Sequence, residues 1–353
     1  MSTLSKPHTN KWKLSPWACA GLGVSVLMTA WFVSDIQWQQ IRREFLSVEA
    51  WPVAAATVLL LLEFWLRALR WKVVLSPVSP EARVRDLFSA SVVGAAGNTL
   101  LPMRAGELAR ALVASRHTGL GVTTVLATNV MERVYDLFGL VTVLVVMVLL
   151  LPDQLGGSLA EQQLVENLQV YGGVLGISAL SAMLVFFALA RRPERARKFA
   201  SYFIDVLPQF VSVPLGGLVD AFLSGFSSAG DIRLMRRSLL LSVALWFNGS
   251  FAIYFLFRAF SLDLPYSAAC FTTVAIALTV LLPQAPGFFG VFHVAIEKTL
   301  VLWQVPEVSA EAFAIVFWAV SFVPVTVLGL VALGREGLSL NSLKHHANNG
   351  ASG

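Results

Sequence analysis

Apolar residues recur along this chain in runs near twenty residues long, with most polar and charged positions gathered between them. Six runs, about 17 to 34, 52 to 75, 119 to 151, 170 to 190, 238 to 260 and 310 to 334, are long enough to cross a hydrocarbon layer roughly 30 Å thick. Lipid offers no partner to an exposed peptide group, so each run is expected to be an α-helix. Two further apolar stretches, 87 to 115 and 266 to 304, are interrupted near their middles by "LLPMRAGE" and "LLPQAPGFFG".

Loop charges decide how those two stretches run. Residues 1 to 16 hold Lys6, Lys11 and Lys13 and no acid, while 152 to 169 hold Asp153, Glu161 and Glu166 and no Lys or Arg. Positive residues mark the cytoplasmic side, so the first segment is placed inside and the second outside. Segment 191 to 237, with Arg191, Arg192, Arg195, Arg197, Lys198, Arg233, Arg236 and Arg237, is placed inside as well. Counting either interrupted stretch as one span breaks this alternation, so each enters and leaves on the same side. The first, after Arg83 and Arg85 and before Arg116, opens to the cytoplasm; the second, between Asp263 and Glu307, opens outward.

The expected fold is therefore all-α: a polytopic helical membrane protein with about six spanning helices and two oppositely oriented re-entrant hairpins, an inverted-repeat-like plan. The hairpins break at Pro102 and Gly106, and at Pro283, Pro286, Gly287 and Gly290. Opposed, interrupted half-helices point to a transporter's central site, because freed backbone groups survive only beside protein or a wet cavity. The alternative is that Pro102, Pro283 and Pro286 kink ordinary spans.

Composition agrees. Of 353 residues 56% are hydrophobic and 13% charged, against about a quarter charged in soluble chains. The formal charge of +5 sits in loops and helix ends, as orientation signals do, and does not call for nucleic acid. Cys19 and Cys270 both lie in apolar runs, with no disulfide framework and no metal-ligand spacing. The organisation reads as a disordered cytoplasmic segment 1–14, one membrane domain over 15–335 and a disordered cytoplasmic tail 336–353. Within the domain, 191–237 is either an amphipathic basic segment on the inner leaflet or a linker packed beneath the bundle. The run 17 to 34 lacks a small-residue cleavage pattern and reads as an uncleaved first span.

Burying a charge at a helix centre costs about 2.5–3.5 kcal/mol on insertion scales, so charges within the apolar stretches are functional candidates. A helix restarting after Pro102 sets Arg104, Glu107 and Arg110 on one stripe at i, i+3 spacing. Glu107 bridging both arginines would leave a net positive stripe with guanidinium donors for an anion such as a lipid phosphate. Otherwise the stripe marks the hairpin mouth and snorkels to headgroups. Glu132, Arg133 and Asp136 lie about four turns into their span, where the carboxylates either answer Arg104 or Arg110 or form a structural network. Glu63 and Arg67 are spaced to pair with each other, and Arg70 and Lys72 read as positive-inside anchors. His293 and Glu297, at i, i+4, are either a proton site or part of a helix core. Arg258 reads as a helix-end anchor facing Asp263.

No His-Glu-x-x-His, Gly-x-Ser-x-Gly, phosphate-cradling glycine loop or Cys/His cluster occurs. No catalytic residue, cofactor or metal is therefore expected. The stretch "NTLLPMRAGELARALVASRHTGLGVTTVLATNVMERVYDLFGL" resembles the P-x-R-x-G-E-x-x-R … E-R-x-x-D signature of the lysylphosphatidylglycerol synthase transmembrane-domain family, also called the flippase-like domain family. "PQAPGFFGVFHVAIEKTL" is similar to that family's later P-G-x-x-G element, and the resemblance spans about residues 15 to 335. Pro102, Arg104, Gly106, Glu107, Arg110, Glu132, Arg133, Asp136, Pro286, Gly287 and Gly290 match the pattern, while His293 stands where many relatives carry Glu.

The resemblance implies a membrane domain that moves or presents lipids. It places the protein in a bacterial cytoplasmic (inner) membrane, and the loop charges put both termini in the cytoplasm. The full-length synthases add a soluble aminoacyl-transferase domain after the membrane part, which is not expected here. The leading expectation is a lipid translocator that binds an anionic headgroup, phospholipid or polyprenyl-type, at Arg104, Glu107, Arg110, Glu132, Arg133 and Asp136. Glu63, Arg67, His293 and Glu297 give polar support. The alternatives are a non-catalytic accessory subunit docking a lipid-modifying or glycosyl-transferring enzyme through 191–237, and an intramembrane transferase using Glu132 or Glu107 as base.

Overall fold

The computed structural model describes residues 38–101, 105–150, 231–280 and 286–336, with scattered helical positions between 170 and 202. Among them all regular structure is helical: α1 Trp38–Ser47, α2 Ala50–Leu75, α3 Val84–Leu100, α4 Gly106–Thr118, α5 Val122–Leu150, α6 Ile232–Ala259, α7 Tyr266–Val280, a short 3-10 turn Pro286–Phe288, α8 Val291–Leu302 and α9 Glu307–Arg335. Helices α2, α6 and α9 are long and apolar enough to cross a membrane. At 1.5 Å per residue, each spans roughly 40 Å. This is a polytopic helical membrane protein.

Four expected spans correspond to α2, α5, α6 and α9. The span 17–34 lies outside the described residues, as do 1–14 and most of 191–230 and 337–353, and 170–190 is described only in part. One boundary differs from expectation. Arg233, Arg236 and Arg237, expected in the basic interhelical segment, belong to α6, which starts earlier because Asp231 caps it by accepting the Arg233 and Leu234 amides. The stretch 38–47, which lies between two expected spans, is the amphipathic α1, with Ile41 buried in the core and Phe45 and Leu46 exposed.

Both interrupted stretches are hairpins. The first pairs α3 with α4 and ends at Gly119, whose left-handed φ of 70° suits glycine. The second, α7–α8, turns at Pro286–Gly290, where Gly287, Phe288 and Gly290 all have positive φ (74°, 58° and 85°). The hairpins enter from opposite ends of the bundle. At the base of the first, the His117 Nε2 and Ser89 Oγ each lie 2.9 Å from the Glu336 carboxylate, just past the C-terminus of α9. At the base of the second, the Lys298 Nζ lies 3.4 Å from Glu307, the first residue of the same helix.

The apolar cores follow this division. The C-terminal end of α2 (Trp71, Val74, Leu75) and Leu333 of α9 pack around the first hairpin and α5. The start of α9 (Ala310 to Phe317) and the end of α6 (Phe257, Phe260) pack around the second. The tips meet between these cores: a β-carbon built at Gly287 would sit 3.6 Å from the Thr99 carbonyl near the end of α3. Small residues permit the closest backbone approaches, as in membrane bundles generally. A β-carbon at Gly106 would collide with the Gly94 carbonyl, and one at Gly329 with the Val92 carbonyl.

Candidate functional site

Eight charged side chains converge where α2, α4 and α5 meet. Arg67, one helical turn from Glu63, donates to its carboxylate at 2.6 Å and lies 3.8 Å from Asp136. Arg70, one turn further, is 1% exposed and donates to Asp136 and to the Ser242 hydroxyl at 2.6 and 2.7 Å, with Glu132 at 3.5 Å. Arg110 meets the other oxygen of Glu132 at 2.5 Å and covers the Trp71 ring at 3.9 Å. Arg133 donates to Glu107 at 2.5 Å and to Asp136 at 3.2 Å. The network thus joins the first hairpin to α2, α5 and α6.

Two expectations are corrected. Glu107 does not bridge along its own helix to Arg110; it pairs with Arg133 of α5, and Arg110 pairs with Glu132. The reason is depth: Arg110 is buried and takes the buried carboxylate facing it, while Glu107 and Arg133 sit at the more exposed rim. Nor is Arg70 a surface anchor, although Lys72 is exposed. At i, i+7 from Glu63 it shares that residue's face of α2, but only packing puts it under α5 and α6.

Among the described residues the network holds four guanidinium groups (Arg67, Arg70, Arg110, Arg133) and four carboxylates (Glu63, Glu107, Glu132, Asp136), so its formal charge is zero rather than the net positive expected of the stripe alone. Arg104 and Pro102 lie outside the described residues, as does Pro283.

Beside this network is a cavity of about 230 Å³. Glu63, Arg67, Glu107, Arg110 and Arg133 form its charged wall; Ser91, Asn98 and Ser321 are further polar groups around it, and Phe288 and Phe322 its apolar side. Gly94 also lines it, opposite the α4 arm that carries Glu107 and Arg110. The N-terminus of α4 has no side-chain cap, since Ala105 occupies the cap position. The dipole of α4 favours an anion at that rim. Chemically, the arrangement can bind and orient a charged group of moderate size. Among the described residues no His, Cys, Asp and Glu group is placed to hold a metal ion.

The second hairpin's polar pair is elsewhere. His293 is buried between the rings of Phe289, at 4.4 Å, and Trp318, at 6.0 Å. Glu297 pairs with Lys298 at 2.5 Å. Arg258 lies 3.7 Å from Asp263, as its position suggested, and donates to the Tyr254 hydroxyl. Trp71, Ser242, Phe288 and Phe322 carry no sequence signal that marks them as parts of the central site.

Curated relatives are membrane proteins or contain the same region. The chain is 25% identical over 278 residues to a UPF0104 membrane protein of Methanothermobacter thermautotrophicus, covering 75% of this chain and 77% of that one. It is 20% identical over 236 residues to UPF0104 membrane protein MJ1078 of Methanocaldococcus jannaschii, covering 66% and 91%. It is also 25% identical over 343 residues, 91% of this chain, to Glycosyltransferase AglD of Haloferax volcanii, of whose length the match covers 54%. Residues 19–329, a range that includes both hairpins and the charged network, match the Lysylphosphatidylglycerol synthase TM region, and the chain belongs to that family.

Proposed function

We propose that this protein is a lipid translocator that holds an anionic headgroup, of a phospholipid or polyprenyl-type lipid, in the charged cavity between its hairpins. The observation that carries this reading is the cavity's wall: Arg67, Arg110 and Arg133 line it where two hairpins from opposite ends of the bundle approach each other. Each guanidinium has five N–H donors, more than one carboxylate can take up. Arg67 and Arg133, 24% and 53% exposed, keep a face toward the cavity. The uncapped start of α4 adds a partial positive charge, the arrangement by which discontinuous membrane helices hold anions. The carboxylates keep the guanidiniums in place and hold the empty site neutral, which limits the cost of burying it.

Lipid bound to the purified protein tests this. An anionic lipid, identified by mass spectrometry, is expected to be enriched on the wild type and depleted about ten-fold in Arg67→Gln/Arg133→Gln, the loss of roughly one charge-assisted contact. The variant must keep the wild-type thermal midpoint. Equal lipid profiles would instead favour the second reading, a non-catalytic accessory subunit of a glycosyl-transferring enzyme. That reading draws on the 91% of this chain that aligns with part of Glycosyltransferase AglD.

A further inference from the structure

The charged cavity has a neighbour. A second chamber of about 290 Å³ lies against it, walled largely by apolar side chains including Leu245, Ile253, Ile276, Ala277 and Phe292. That volume is at the lower end for ligand sites and suits one hydrocarbon chain better than two. Four side chains border both spaces: Glu63, Arg67, Phe288 and Phe322. The first two are the charged pair of α2. The other two are rings stacked on each other, 5.3 Å between centroids and 21° between planes.

Phe288 holds that position at a cost. Its φ of 58° is in the left-handed region, which a bulky side chain adopts rarely and a glycine adopts freely. Gly287 and Gly290 on either side show the same turn met with glycine. The turn is held from behind by the Trp318 indole N–H, which donates to the Gly287 carbonyl at 2.7 Å. A strained aromatic kept where glycine would serve better, at a wall shared by two cavities, calls for a role of the ring itself.

We infer that Phe288 is the partition between the two cavities. Stacked on Phe322 it keeps the charged cavity and the apolar chamber apart; swung away, it joins them and admits one hydrocarbon chain of a lipid whose headgroup lies at Arg67 and Arg133. The identity of what passes rests on the lipid reading above, whereas the partition does not.

The test is thiol accessibility in the full-length protein. In a Cys19→Ala/Cys270→Ala background, Ala277→Cys places a thiol in the apolar chamber and Ser321→Cys places one in the charged cavity. A charged methanethiosulfonate reagent is expected to modify position 321 quickly and position 277 slowly. A partition open only in a minor state, populated at about 0.1–10%, means that Phe288→Gly should speed modification at 277 by roughly ten-fold or more and leave 321 unchanged. Phe322→Ala, removing the other ring, should do the same, so either variant that keeps the wild-type thermal midpoint suffices. Equal rates at 277 with and without the ring would overturn the partition. If the partition holds while Arg67→Gln/Arg133→Gln keeps the full lipid complement, the headgroup reading alone fails.

Discussion

Replacing Arg70 with methionine is expected to cost about 3–5 kcal/mol of stability, the range for removing one member of a buried ionic network. The substitution nearly preserves side-chain volume, though not reach, so the loss is one of charge and hydrogen bonding more than of packing. Asp136 would lose its shortest partner, at 2.6 Å, and among the described residues Glu132 would be left with Arg110. Both carboxylates are almost fully enclosed, 7% and 1% exposed, so water cannot take over. Arg70→Lys is expected to rescue little, because one ammonium cannot span Asp136, Ser242 and Glu132 as a planar guanidinium does. Adding Asp136→Asn to Arg70→Met should restore part of the loss by removing the uncompensated charge. Thermal unfolding of the purified variants measures all three, and an Arg70→Met midpoint equal to the wild type would mean that the network does not hold α2, α5 and α6 together.

Gly106→Ala should approach the same size, about 3 kcal/mol, at the upper end of overpacking costs. The added β-carbon meets backbone rather than a flexible side-chain end: it collides with the Gly94 carbonyl and lies 2.5 Å from the Asn98 amide nitrogen. The hairpin arms would have to separate. Since Glu107 and Arg110 ride on the displaced arm, bound lipid should fall along with the thermal midpoint. Gly121→Ala is the control, since a β-carbon there meets nothing within 4 Å, and its effect should stay within about 0.5 kcal/mol. Similar midpoints for the two variants would show that α3 and α4 are not held at this close approach.

The same residues show what could be read in advance. Helical structure, membrane residence and the two hairpins follow from the sequence because lipid imposes uniform rules: peptide groups must pair locally, spans need a set length, and loop charges keep a side. The pairing of Glu63 with Arg67 was legible too, since i, i+4 on a helix is a fixed distance. Helix α1 was not legible, because charges of both signs and a short apolar face look like a loop until Ile41 finds its place in the core.

By itself, then, the sequence determined which side chains share a helix face and which apolar stretches turn back on themselves, since both depend on local periodicity and on the solvent. Only the tertiary structure decided what lies across from each face: Arg133 rather than Arg110 as partner of Glu107, Glu132 as partner of Arg110, Arg70 buried rather than anchoring, and Phe288 between two cavities. Those outcomes depend on the depth at which helices cross, and depth is set by close approaches such as Gly106 on Gly94 and Gly139 on Trp246. These join residues distant in the chain, where spacing along one helix carries no information.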